Sequence, residues 1–286
     1  GMTQLYLLRV FPLSAAGGNP APIVLDAAGL SAQDMRRIAE EHGHESGFVL
    51  PAEADSDADF RFRFFVPRHE MEMCGHATIG ALWVLRQAGL LNRETVLIDT
   101  LSGRVTGRVP KTGPIAISQP KGVVEAVPGA NVPEILDILG ISSGDLARPD
   151  ILNASTSRIK TLIALKNREI LDGLAPDFAR MELICAVIGS TGLYPFAAGD
   201  APGRFHARQF PRASGYPEDA ATGIAAAALA FGLLDWGMAA ADTAITIRQG
   251  EAMSHPSEIH VRFEQNSGAV TGCWISGVCE IDTPPT

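Results

Sequence analysis

Residues 67–78 read Pro-Arg-His-Glu-Met-Glu-Met-Cys-Gly-His-Ala-Thr, and residues 211–222 read Pro-Arg-Ala-Ser-Gly-Tyr-Pro-Glu-Asp-Ala-Ala-Thr. Each stretch opens on Pro-Arg, and the two openings lie 144 residues apart. Each closes on Ala-Thr at the same separation, about half the length of this 286-residue chain. Before each stretch stands a β-like run; the first, Phe60 to Val66, alternates apolar and polar residues as a half-buried strand does. After each comes a helix-length run with almost no charge, from Cys74 to Leu90 with Arg86 as the exception, and from about 219 to 234. Shared order and a common offset point to an internal duplication.

A helix that is apolar on nearly every side has to be wrapped. The pattern therefore predicts an α+β fold of two pseudo-symmetric halves. Each half would be a curved, mostly antiparallel sheet or barrel around a central apolar helix. In the first half the periodicity predicts strands near 4–11, 22–25, 47–51, 60–66, 95–100, 103–109 and 114–119. It also predicts a helix over 31–42, with Ser31 as N-cap, Asp34 as its capping-box partner and Gly43 as stop. In the second half it predicts strands near 158–166, 192–197, 204–210, 243–248, 258–264 and 270–281, and a helix over 176–188. Pro, Gly and Ser between 120 and 150, with one short helix near 133–139, read as the inter-domain region. The expected domains are 1–120 and 121–286, with the last strand free to return to the first domain.

Composition narrows the function. The net charge is −9 with no large Lys/Arg cluster, which argues against nucleic acid as a partner. The apolar run from Gly223 to Leu234 is too short to span a bilayer. Residues 5–11 are interrupted by Arg9 and lack a cleavage pattern, and Gly1 ahead of Met2 is set aside as an expression remnant. The four cysteines, Cys74, Cys185, Cys273 and Cys279, form no CxxC pair, so reduced thiols in the cytoplasm are expected. Walker A, GxGxxG and GxSxG signatures are missing. His69, Glu70, Glu72, Cys74 and His76 are of metal-ligating type, but neither HExxH nor CxxC spacing occurs, and no metal is expected.

The duplication also locates a site. If both buried helices point their N-termini at the seam, unpaired backbone N–H groups converge on one cleft suited to a carboxylate or a developing enolate. His76 and Asp219 are expected in the first turns of those helices. Taken singly, each reads as ordinary helix-start chemistry, Asp219 as an N-cap; together they mark a candidate site. Glu45, in the polar run Glu41-His42-Gly43-His44-Glu45-Ser46, reads on spacing alone as part of a solvated helix end.

These residues resemble the PhzF-type phenazine-biosynthesis isomerase family, a branch of the diaminopimelate epimerase-like fold. The matching blocks are Gly17-Gly18-Asn19-Pro20-Ala21, Glu45-Ser46, Phe65-Val66-Pro67 leading to Glu70, Cys74-Gly75-His76-Ala77-Thr78, and Glu218-Asp219-Ala220-Ala221-Thr222-Gly223. The resemblance implies a cofactor-free isomerase that moves a proton within a small carboxylated metabolite. Glu45 would be the general acid/base, its pKa brought toward working pH by enclosure. His76 and Asp219 would assist catalysis, and Gly75, Ala77, Thr222, Gly223 and Asn19 would bind substrate. A homodimer is implied as well.

Two positions depart from the family pattern: Ala220 stands where Pro is usual, and Ile224 where Ser is usual. That draws attention away from the phenazine-pathway substrate itself. Diaminopimelate epimerases and proline racemases are similar in placing a thiol at each helix start. Here only Cys74 is present, residues 218–220 being Glu-Asp-Ala, so Cys74 reads as a packing residue. The alternatives left open are an epimerase or racemase, or a non-catalytic carboxylate-binding protein on the same scaffold.

Overall fold

The computed structural model describes residues 4–283. The chain begins with β1 (Leu5–Val10), β2 (Asn19–Val24), α1 (Ala32–His42), β3 (Ser46–Pro51), β4 (Phe60–Phe65) and β5 (Glu70–Met71). Next come α2 (Gly75–Gln87), β6 (Thr95–Thr100), β7 (Gly103–Arg108), β8 (Ile115–Pro120), β9 (Val123–Ala126) and α3 (Val132–Leu139). The second half continues with β10 (Leu152–Ser155), β11 (Ile159–Leu165), α4 (Arg168–Asp172), α5 (Met181–Ile188), β12 (Gly192–Ala198), β13 (Arg204–Ala207) and β14 (Phe210–Pro211). It closes with α6 (Gly223–Asp235), β15 (Ile245–Gln249), β16 (Ser257–Asn266), β17 (Ala269–Gly277) and β18 (Cys279–Thr283).

Strand pairing exposes the duplication directly. From β1 through β2, β3, β4, β6 and β7 to β8, successive neighbours pair antiparallel, parallel, antiparallel, parallel, antiparallel, antiparallel. From β10 through β11, β12, β13, β15 and β16 to β17, the same senses recur in the same order. Each parallel pair needs a crossover, and helices supply it: α1 between β2 and β3, α2 between β4 and β6, α4 and α5 between β11 and β12, α6 between β13 and β15.

The halves join through their last strands. β8 lies antiparallel to β17 with Ile117 opposite Ile275. The chain then leaves β8 to place β9 beside β10, and leaves β17 to place β18 beside β1. Each half thus donates an edge strand to the other, and unpaired edges that would invite aggregation are covered.

Both central helices are buried almost all round. In α2 every residue from Gly75 to Leu82 is buried, and in α6 every residue from Gly223 to Leu233. α2 packs inside β1, β2, β3 and β8, and α6 inside β9, β10, β11, β16 and β17. The Ala-rich sequence of α6 favours helix and keeps the cylinder narrow enough for the sheet to close on it. At Gly232 an added Cβ would lie 2.3 Å from Leu162 Cδ1.

Outside the first sheet, α1 has the Ser31–Asp34 capping box and the left-handed Gly43 stop that its sequence predicts. It buries Met35 and Ala39 against Phe48 and Phe65, whose rings meet edge to face at 5.7 Å. The stretch 120–150 departs from expectation. β9 is paired, and α3 buries Ile135, Leu136, Ile138 and Leu139 in one cluster with α5. It is part of the second sheet's covering layer, not a linker. Helix α6 begins at Gly223, four residues later than expected. Among the described residues no helix is long and apolar enough to cross a membrane.

Candidate active site

The two buried helices meet nose to nose. The N-caps are Cys74 and Thr222, both in extended backbone conformation, and neither side chain caps its own helix. Intrahelical bonding starts at Thr78 N and Ala226 N. The preceding N–H groups, Gly75 to Ala77 and Gly223 to Ala225, therefore have no partner within their helices and point at the seam. A narrow cleft opens there, lined by Glu45, Cys74, Gly75, His76, Thr222, Gly223 and Ile224 among others.

Glu45 enters this cleft from the residue just before β3, after Gly43 has turned the chain out of α1. It is 7% exposed. The Cys74 thiol donates to its Oε2 at 2.8 Å, and the Tyr216 hydroxyl donates to its Oε1 at 2.8 Å. His76 Nδ1 lies 3.3 Å from the same Oε2 and 3.4 Å from Cys74 Sγ. Burial pushes the carboxyl upward, but His76, the two donors and Arg158 outweigh it and hold Glu45 below the ordinary glutamate value. This corrects the expected upward shift: enclosure is real, yet the carboxylate is solvated by the protein. Glu45 rests ionised.

Asp219 is also buried, and it is not among the residues lining the cleft. Asn19 Nδ2 donates to its Oδ1 at 2.6 Å and Thr222 Oγ1 to its Oδ2 at 2.7 Å. Burial first, then the Glu45 charge, raise its pKa well above the usual carboxylate range. One buried carboxyl is charged and the other neutral, an arrangement that separates base from acid. Asp219 does not lie in the first turn of α6, as the sequence suggested. It sits three residues before the N-cap because its N–H bonds Gln209 O and holds the chain in a β-bridge.

Gln249 ties down the same loop. Its Nε2 donates to Asp219 O at 2.9 Å and to Thr222 Oγ1 at 3.0 Å, and its Oε1 accepts from Thr222 N at 3.2 Å. Asn19 adds a bond to Ala221 O at 2.7 Å. Ala77, expected to touch substrate, is fully buried against Gly47. His76 is buried and its pKa is lowered, by burial above all; Glu45 and the Pro20 carbonyl act against that shift. Its Nε2 makes no hydrogen bond of good geometry.

By donor type, Glu45, Cys74 and His76 could hold a metal, their ligand atoms lying within 4.8 Å of one another. Burial and the Glu45 charge raise the Cys74 thiol far above its ordinary value, which opposes the thiolate such a ligand set needs.

A family model for phenazine biosynthesis-like proteins matches residues 8–277. The chain belongs to this family. An uncharacterized isomerase of Deinococcus radiodurans is 31% identical, covering 98% of this chain and 93% of its own. The uncharacterized isomerase YddE of Escherichia coli K12 is 32% identical over 78% of this chain and 76% of its own. A PhzF-family phenazine biosynthesis protein of Bacillus anthracis superimposes with a TM-score of 0.86 at 25% identity, covering 99% and 98% of the two chains. A probable proline racemase of Agrobacterium radiobacter shares the fold, with a TM-score of 0.65 at 15% identity over 98% and 91%.

Membership in the phenazine biosynthesis-like family makes the chain similar to proteins described as isomerases. Within that family frame three site residues escaped the sequence reading. Cys74 was read as packing but binds Glu45. Tyr216 reaches Glu45 across 171 positions, a contact without local signal. Lys160 lines the cleft from an otherwise ordinary strand.

Proposed function

We propose that this chain is a cofactor-independent isomerase that shifts a proton between two atoms of a small carboxylated metabolite. One observation carries the reading: the buried Glu45 carboxyl, bonded by Cys74, lines the same cleft as the tips of both central helices. The substrate carboxylate, or the enolate formed when a proton leaves, is stabilised by those backbone donors. Glu45 takes the proton as base and, now protonated, returns it as acid at the second atom. The Cys74 and Tyr216 donors fix which oxygen faces the substrate. Asp219 is a positioning residue: neutral beside an anion, it holds Asn19 and Thr222 and so the start of α6. His76, against Glu45, lines the cleft and completes the catalytic set.

A two-thiol racemase is disfavoured because the N-cap opposite Cys74 is Thr222, whose hydroxyl is already engaged by Asp219 and Gln249. Ile224, lining the cleft where a hydroxyl is usual in the family, supports a second reading as a carboxylate-binding protein without turnover. The expected setting is the cytoplasm, the four cysteines being free thiols, with a homodimer as the expected assembly.

Incubating the enzyme in D₂O with a panel of small unsaturated and cyclic carboxylates tests the choice by mass spectrometry. Deuterium in the product, reduced roughly 10²–10⁴-fold by Glu45→Gln, supports the isomerase. Turnover unchanged by Glu45→Gln removes Glu45 from the mechanism, and calorimetric binding without any chemical change leaves the binder.

A further inference from the structure

The duplication gives the two barrels equivalent inward-facing positions at their mouths. On β2 the face that carries Ala21 and Ile23 into the first barrel begins with Asn19; on β11 the face that carries Leu162 and Ala164 into the second begins with Lys160. Asn19 is locked by two bonds to the loop of the opposite half. Lys160 is 2% exposed, yet among the described residues its ammonium has neither a hydrogen bond nor an ion pair, and it lines the cleft.

An enclosed ammonium without a partner carries a desolvation cost. The Arg158 charge adds to that cost, while Glu45 and Asp219 oppose it. Arg158, two residues earlier, lines the same cleft and the outer vestibule beyond it. Among the described residues Arg158 is engaged through Nε alone, by Glu72 at 3.1 Å, and Glu72 is half exposed. The helix tips and Glu45 belong to the interior of the seam. Arg158, Thr191 and Ser214, shared between cleft and vestibule, mark its throat.

We infer that Lys160 and Arg158 form a second anion-binding subsite at the throat, so that the preferred substrates are small dicarboxylates. This rests on the isomerase reading for the word substrate, but the subsite itself is a binding claim. One carboxylate meets the backbone N–H groups of the helix tips beside Glu45. The other meets the Lys160 ammonium and the Nη groups of Arg158. The state of the lysine agrees: burial and the Arg158 charge lower its pKa to about 7, a push that a bound carboxylate would reverse.

Calorimetric titration compares succinate, glutarate and adipate with butyrate, valerate and hexanoate, the monocarboxylates of the same chain lengths. For wild type, at least one diacid is expected to bind about tenfold or more tighter than its mate, the scale of one charge-assisted hydrogen bond. Lys160→Met should abolish that preference while leaving monocarboxylate affinity in place, and Arg158→Gln should reduce it, with thermal melts confirming that both variants fold. Equal binding of diacid and monoacid by wild type, no binding of either included, overturns the subsite. So does a parallel loss of both affinities in Lys160→Met, which would put the lysine on the first carboxylate. Glu45→Gln should keep the preference, so a missing deuterium signal with the preference intact would count against the isomerase and not against the subsite.

Discussion

Gly75 and Gly223 touch across the seam, and the contact is lopsided. A Cβ built on Gly75 would lie 3.2 Å from Gly223 Cα and 3.1 Å from Ile224 N, whereas one on Gly223 would lie 3.6 Å from Gly75 Cα. The atoms crowding Gly75 are backbone, which cannot swing aside. Gly75→Ala is therefore expected to part the helix tips at a cost of about 1–3 kcal/mol, and Gly223→Ala to cost less than about 1 kcal/mol. Urea unfolding of the two variants measures the difference. Equal costs would show that the tips are not in the contact described.

Tyr216 and Cys74 each donate to one oxygen of Glu45, and together with His76, the largest opposing influence, and Arg158 they offset the penalty of its burial. Removing either donor leaves burial less opposed. Tyr216→Phe and Cys74→Ala should each raise the Glu45 pKa, with the double variant highest. The acidic limb of the pH–rate profile, or the carboxyl carbon resonance of Glu45 followed by NMR, should move to higher pH in that order. A limb unmoved by either substitution would mean that Glu45 does not set it.

Much of this architecture is legible in the chain, and the misses have physical causes. Apolar runs without charge mark α2 and α6 because a wrapped helix must look that way. Ser31, Asp34 and Gly43 delimit α1 because capping is local chemistry. The Ala-Thr pairs, however, mislead by four residues. Ala77-Thr78 lies inside α2, while Ala221-Thr222 precedes α6, held extended by Asn19 and Gln249 from strands far away in sequence. β9 is short and mostly exposed, so it carries no alternation to read. Tyr216, Lys160 and the protonation of Asp219 depend on what faces them across the seam, which no window of sequence contains. Glu45 is legible through family resemblance only; its local surroundings read as a helix end in water.

Asp219 offers a test whose sign can be worked out. Its pKa in the fold stands well above the ordinary 3.8, because burial and the Glu45 charge both disfavour its ionised form. Below the ordinary value both folded and unfolded chains carry the proton, and the group leaves stability unchanged. As pH rises between the ordinary and the raised value, the unfolded chain releases a proton that the folded chain keeps. The unfolded state then binds fewer protons, and stability falls with rising pH over that window. Asparagine resembles the neutral acid: its oxygen can accept from Asn19 and its amide can donate toward Thr222. It has no proton to lose. Asp219→Asn should therefore match wild type in thermal melts at about pH 3.5 and exceed it by several degrees at about pH 7. Glu45, whose pKa is lowered, adds the opposite trend at acid pH, but it is present in both proteins and largely cancels in the comparison. If the variant instead melts below wild type at neutral pH, with the gap widening as pH rises, Asp219 is ionised. The charge assignment across the seam would then have to be reversed.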